Sequence, residues 1–213
     1  MQAFVRHTGI AAPLLRPNID TDAIIPSREM KQVSKRGLDV GLFAAWRYSD
    51  VDARTPNPDF VLNQNAYAGC SVLLGGANFG CGSSREHAVW ALVEYGIRAI
   101  IAPSFGAIFQ QNCVRNGLLP IVLDAEAVEA LAARIQTDPR ALPLTVDLEQ
   151  QHMTLPDGGR WLFDIDATHR EMLLKGLDPI ALTLTQEAHI TAFEALQRKH
   201  RPWLYSPLQT SAV

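Results

Sequence analysis

The residues best suited to chemistry lie in one stretch, Gly75-Gly76-Ala77-Asn78-Phe79-Gly80-Cys81-Gly82-Ser83-Ser84-Arg85-Glu86-His87. Its glycines allow sharp turns and let backbone N–H groups approach a ligand closely. Ser83, Ser84 and Arg85 then open a helix-like segment, Ala88 to Tyr95, whose first N–H groups and dipole favour an anion. A carboxylate or a phosphate is the natural ligand. Arg85 strengthens that reading. In a first helical turn its charge opposes the dipole, and a planar guanidinium that grips a carboxylate at two points gives it a reason to be there. The bland alternative is a capping box, with Ser83 at the cap and Glu86 reaching back from three residues later. Both readings stay open at this level. A serine here also suits the role of a base, because helix N–H groups, the dipole and an arginine would all stabilise its alkoxide. Two familiar templates are excluded: the stretch has no Walker A lysine and lacks the third glycine of the dinucleotide motif.

Other candidates carry weaker signals. Asp20, Thr21 and Asp22 suit a turn or a cap better than a metal, since two aspartates alone are a poor ligand set. Lys31, Lys35 and Arg36 read as a solvated loop face or an anion contact. His87 reads as a packing residue, and Cys81 as either a small filler or a thiol activated by the helix start. Trp46, Arg47 and Tyr48 are core or partner-contact types.

The elements that position these residues can be traced along the chain. Phe4–Leu15 reads as a strand or hairpin, Asn18–Asp22 as a polar turn, and 27–58 as a long irregular loop, a length that is usually functional. An alternation of apolar runs and helical segments follows, which predicts parallel strands joined by helices. Strands are expected at 71–74, 99–102 and 121–123. Helices are expected at 84–95, at 105–115 up to the Asn116-Gly117 stop, and at 125–135 with Asp124 as N-cap. Short strands at 144–148, 153–155 and 161–165 come next, with a turn at Asp157-Gly158-Gly159, then helices at 167–175 and 186–198. The expected organisation is one domain over 1–200, its C-terminal helices included, and a flexible tail over 201–213.

The 213 residues suffice for a full core, and 47% hydrophobic with 19% charged residues describes a globular chain. A net charge of −3 provides no basic footprint, so neither nucleic acid nor an anionic membrane is an expected partner. No apolar run reaches spanning length and residues 1–16 lack a signal-peptide layout. Three cysteines without a CxxC pair point to reduced thiols and a cytoplasmic location.

Three ordered blocks carry a family resemblance: Asn18-Ile19-Asp20-Thr21-Asp22-Ala23-Ile24-Ile25-Pro26, Asn78 to His87, and Ser104-Phe105-Gly106-Ala107-Ile108-Phe109-Gln110-Gln111-Asn112-Cys113-Val114-Arg115-Asn116-Gly117-Leu118-Leu119-Pro120. Lys175 to Leu184 adds a fourth, so the match spans nearly the whole chain. The sequence resembles small subunits of 3-isopropylmalate dehydratases, in the aconitase superfamily. The resemblance implies an α/β fold, the aconitase-type swivelling β/β/α three-layer domain with central parallel strands and a C-terminal helical extension. It implies a hydro-lyase of leucine biosynthesis that converts 2-isopropylmalate to 3-isopropylmalate by dehydration and rehydration, active only with a large subunit. A [4Fe-4S] cluster is expected on that large subunit, with no metal on this chain, whose scattered cysteines lack cluster spacing. By resemblance Ser83 is the base and Asp22 a second catalytic residue. Ser84, Arg85, Arg36 and Thr21 bind the 2-hydroxy dicarboxylate, and Lys31 is a specificity candidate. The competing expectations are a related dehydratase acting on homocitrate or dimethylmalate, and a non-catalytic anion-binding module.

Overall fold

The apolar segment at the start of the chain does not fold back on itself as a hairpin. It splits into β1 (Arg6–Gly9) and β2 (Ala11–Leu14), which belong to different sheets. Only Ile10 separates them, and a hairpin needs at least a two-residue loop, so the chain runs straight on and changes sheet. Pro13 is tolerated because β2 is an edge strand. These features come from a computed structural model that describes residues 1–30, 36–83 and 85–205. Lys31, Lys35, Ser84 and most of the expected tail lie outside the described residues.

After β2 the polar block turns at Asn18, which has φ 55°, and enters the one-turn helix α1 (Thr21–Ile24). Asp20 caps it, accepting from Ala23 N at 2.6 Å. The long loop is built from short pieces. Tight turns at Ser27–Glu29 and Asp39–Gly41 precede α2 (Ala44–Arg47) and the small hairpin of β3 (Tyr48–Asp50) and β4 (Thr55–Pro56). Ring packing secures it. Phe43 and Trp46 stack 5.7 Å apart, the Arg16 guanidinium sits 4.8 Å over Trp46, and that of Arg47 sits 4.9 Å over Tyr95. Trp46, Arg47 and Tyr48 thus knit the loop to its own chain.

The predicted alternation follows as β5 (Val72–Gly75), α3 (Glu86–Tyr95), β6 (Ala99–Ala102), α4 (Ala107–Arg115), β7 (Leu119–Val122) and α5 (Ala125–Thr137). Strands β2, β5, β6 and β7 pair in that order, all parallel. β5 and β6 are buried at every residue, which is why they read as unbroken apolar runs. α5 lies against β2, β5 and β6. Asp124 stands at its N-cap but makes no side-chain cap bond there, contrary to expectation. An antiparallel sheet in the order β1-β8-β9-β10 follows from β8 (Leu144–Asp147), β9 (His152–Thr154) and β10 (Arg160–Leu162), and α6 (Ala167–Lys175) comes after it.

The chain divides into two units, Met1–Leu177 and Asp178–Val213. The expectation of one domain over 1–200 places the C-terminal helices with the sheets. The second unit adds α7 (Pro179–Leu184), a helix outside the sequence expectation although Asp178-Pro179 is a helix-start signal. Asp178 accepts from Ala181 N at 2.7 Å. α8 (Glu187–His200) lies at the expected helix, and Pro202–Tyr205 forms a tight turn at the start of the expected tail. Among the described residues no helix is long and apolar enough to cross a membrane.

Candidate active site

In open α/β sheets ligands bind beyond the carboxyl ends of the parallel strands. The candidate residues gather there. The segments leaving β2, β5 and β6 continue side by side past the sheet. Asn18 N donates to Ala77 O at 2.8 Å, Gly80 N to Ile19 O at 2.7 Å and Thr21 N to Cys81 O at 3.1 Å. On the other side Phe79 N donates to Ser104 O at 3.0 Å and Gly106 N to Phe79 O at 2.9 Å. The glycine stretch is therefore the middle of three strand-like segments, one from each sequence block. Asn78 fastens both flanks. Its Nδ2 donates to Asn18 Oδ1 and its backbone N to Ser104 Oγ, both at 2.8 Å. Gly80 has φ +73°, and a Cβ there would lie 2.1 Å from the Phe109 ring, so both backbone and space require glycine.

This scaffold delivers the loop tip. Ser83 is exposed, and its backbone carbonyl accepts from the hydroxyl of Thr21. Thr21 is only 1% exposed. The resemblance implies substrate contact for Thr21; the structure puts it beneath the loop as the support of Ser83. Arg85 Nη1 meets Asp22 Oδ1 at 2.5 Å. The arginine's anion is thus, in this state, a carboxylate of the same chain. The pair is partly solvated, with side-chain exposures of 27% and 53%, so it contributes under ~1 kcal/mol. An incoming carboxylate can compete for it. Arg85 has further N–H donors on the same planar fork.

The capping-box alternative is not what forms. α3 begins at Glu86, and Arg85 itself occupies the N-cap with extended dihedrals, φ −119° and ψ 115°. Glu86 Oε1 instead accepts from Asn116 Nδ2 at 2.8 Å. A packing partner draws the glutamate away from the loop, and Ser83 lies three residues before the helix rather than capping it.

Ser83, Arg85, Asp22 and Thr21 are brought together. Arg36 is exposed on a different segment, next to Gly37, which is bonded to Glu94 near the other end of α3. Lys31 and Ser84 fall outside the described residues. His87 packs on Trp90 with ring centres 4.7 Å apart. Cys81 is half-buried and helps line a cavity of about 290 Å³ with Asn78, Gly82, Ala107 and Ile108. Cys70 and Cys113 are buried, and burial pushes the Cys70 thiol up to about 12 and that of Cys113 well above its ordinary value. Among the described residues no three His, Cys, Asp or Glu side chains gather into a metal-binding group. Sequence reasoning missed Asn78, Ser104 and Glu94 as supports. Only the three-block pattern hinted at the first two.

The comparisons with known proteins agree along the chain. A family model described as the aconitase C-terminal domain matches residues 1–126. The LeuD_N model matches 129–167, and a model of the C-terminal domain of the 3-isopropylmalate dehydratase small subunit matches 180–206. A 3-isopropylmalate dehydratase small subunit from Cupriavidus necator is 60% identical over 205 residues, covering 96% of this chain and 99% of the relative. Another from Methylibium petroleiphilum is 50% identical, covering 98% and 99%. The crystal structure of 3-isopropylmalate dehydratase from Methanocaldococcus jannaschii superposes with a TM-score of 0.63 at 25% identity, covering 88% of this chain and 99% of that one. The chain therefore belongs to the family of 3-isopropylmalate dehydratase small subunits, built on an aconitase-type domain.

Proposed function

We propose that this chain, joined to a large subunit, isomerises 2-isopropylmalate to 3-isopropylmalate by dehydration and rehydration, and that it supplies the base and the carboxylate clamp. One observation carries the reading: an exposed serine, an arginine with spare donors and an aspartate converge at the carboxyl end of a parallel sheet. On this reading the chain supplies half of an active site, and a large subunit supplies the other half.

Ser83 Oγ, as alkoxide, takes the proton from the carbon next to a substrate carboxylate. Negative charge then builds on that carboxylate, and the hydroxyl leaves from the neighbouring carbon to form the double bond. Arg85 is placed to grip the carboxylate at two points. It binds more strongly as charge accumulates, which stabilises the transition state above the ground state. Asp22 holds the guanidinium oriented until the incoming carboxylate displaces it. Thr21 holds the Ser83 backbone while the proton moves. Rehydration on the other carbon returns the proton from Ser83. A [4Fe-4S] cluster on the large subunit would act as the Lewis acid for the departing hydroxyl. The three scattered cysteines lack cluster spacing, which supports locating that cluster on the other subunit.

The test is co-purification with the large subunit, followed by absorbance of the unsaturated intermediate with several 2-hydroxy diacids. Turnover is expected on 2-isopropylmalate, with Ser83→Ala slowed by about 10²–10⁴ and the isolated chain inactive. Equal turnover on homocitrate or dimethylmalate would refute the substrate assignment. Full activity of Ser83→Ala would refute the catalytic one.

A further inference from the structure

We propose that Asn116 is a positioning residue for the candidate base: by holding the Glu86 carboxylate, it keeps the turn at Ser83 out of the capping box that its own sequence encodes. This rests on the dehydratase reading above. Asn116 is the C-cap of α4, and its side-chain amide reaches the first turn of α3. Trp90 Nε1 donates to Asn116 Oδ1 at 3.0 Å. An indole nitrogen can only donate, so it fixes the amide oxygen on its own side and turns the NH2 group toward Glu86. Asn116 Nδ2 then donates to Glu86 Oε1 at 2.8 Å and to Asn112 O at 2.9 Å. Both amide hydrogens and the oxygen are thereby engaged. Glu86 and Trp90 lie four positions apart, on one face of α3. The amide bridges that face, and all three side chains are half-buried.

The consequence lies in what Glu86 does when it is not held. Ser83 and Glu86 stand at the spacing of a capping box. In that arrangement the helix begins one residue after Ser83. Ser83 Oγ accepts from Glu86 N, and the Glu86 carboxylate reaches back to Ser83 N. A hydroxyl used as a cap faces its own helix and not a substrate. The structure has the other arrangement. Arg85 is the N-cap, α3 carries no side-chain cap, and Ser83 and Arg85 are held by Thr21 and Asp22 instead. The two arrangements compete for the same turn, and the Glu86 carboxylate decides between them. Bound to Asn116, it is withdrawn from the competition. Freed, it favours the capped turn, which neither presents Ser83 Oγ nor leaves Arg85 in place to grip a carboxylate.

The experiment compares wild type, Asn116→Asp, Glu86→Ala and the double variant in the complex with the large subunit. Asn116→Asp keeps the size of the side chain and an acceptor for Trp90, and turns the donor facing Glu86 into a repelling carboxylate. A capped turn favoured about ten to one leaves about a tenth of the molecules competent to bind. Asn116→Asp is therefore expected to raise KM for 2-isopropylmalate about tenfold, equal to 1.4 kcal/mol. Saturating substrate pulls the turn open again, so kcat should stay within about twofold. Glu86→Ala is expected to leave both constants near wild type and, added to Asn116→Asp, to restore KM. Lost packing at Asn116 would not be repaired by a second deletion. Unchanged KM in Asn116→Asp, or a double variant no better than the single one, would overturn the proposal. If Asn116→Asp does not fold, Asn116→Ala decides by the same criteria. A wild-type complex inactive on this substrate would refute the dehydratase reading instead. Amide exchange at Glu86 N in the full chain then decides the role of Asn116: slower exchange in Asn116→Asp supports it, and unchanged exchange overturns it.

Discussion

Replacing Thr21 by valine separates support of the base from contact with the substrate. The threonine is 1% exposed and spends its hydroxyl on the Ser83 carbonyl. Valine has nearly the same shape, so no cavity opens and no buried donor is left unpaired. The Ser83 carbonyl belongs to an exposed residue and water can reach it. The stability loss is then that of one neutral hydrogen bond, about 0.5–1.5 kcal/mol, or roughly 1–6 °C in Tm for a chain this size. The catalytic loss is larger in proportion. A misplacement near 1 Å of a reacting group costs about 10² in rate, and the Thr21 hydroxyl is what holds the Ser83 backbone from below. In the reconstituted complex, followed by absorbance of the unsaturated intermediate, kcat and kcat/KM should fall together by about 10² with KM little changed. Thr21→Ser should restore most of the rate. Full kcat in Thr21→Val would refute the support role. A rise in KM alone would do so too, and would return Thr21 to the substrate contact that the family resemblance implies.

Arg85→Lys keeps the charge but loses the planar fork, so kcat/KM should drop by about 10²-fold while urea midpoints stay close to wild type. A large stability loss would mean that the ion pair with Asp22 is structural. His7 has its Nε2 2.7 Å from Ser71 Oγ, and burial, then Arg98, holds its pKa below the usual 6.5. The unfolded chain therefore binds the proton first. This contribution to stability is present above pH 6.5 and is lost as pH falls below it. Urea unfolding across that range should show a shallower acid limb in His7→Gln, and an identical limb would exclude His7 as a source. Of the three cysteines, Cys81 should react with a small disulfide reagent in the native protein, while Cys70 and Cys113 react only after unfolding. Fast labelling of all three would contradict the burial.

Elements whose cause is local in sequence were legible without a structure. Apolar runs expected as strands at 71–74 and 99–102 became the fully buried parallel strands Val72–Gly75 and Ala99–Ala102, and Asn116-Gly117 ended its helix, because periodicity and stop residues act within a few positions. The serine and arginine at the glycine turn were legible by type, and the family by its three blocks. What only tertiary structure decided is how side chains are allotted. Glu86 could cap its own helix or bond Asn116, and packing thirty residues away chose Asn116. Arg85 and Asp22 lie 63 positions apart and Thr21 and Ser83 lie 62 apart, and no local pattern encodes either pairing. The same holds for Ile10, where one residue too few for a hairpin sent β1 and β2 into different sheets. Residue types and spacing thus determined which chemistry this chain can offer. The convergence of three strand ends decided which of them meet: Thr21 beneath the Ser83 carbonyl, and Asp22 against Arg85.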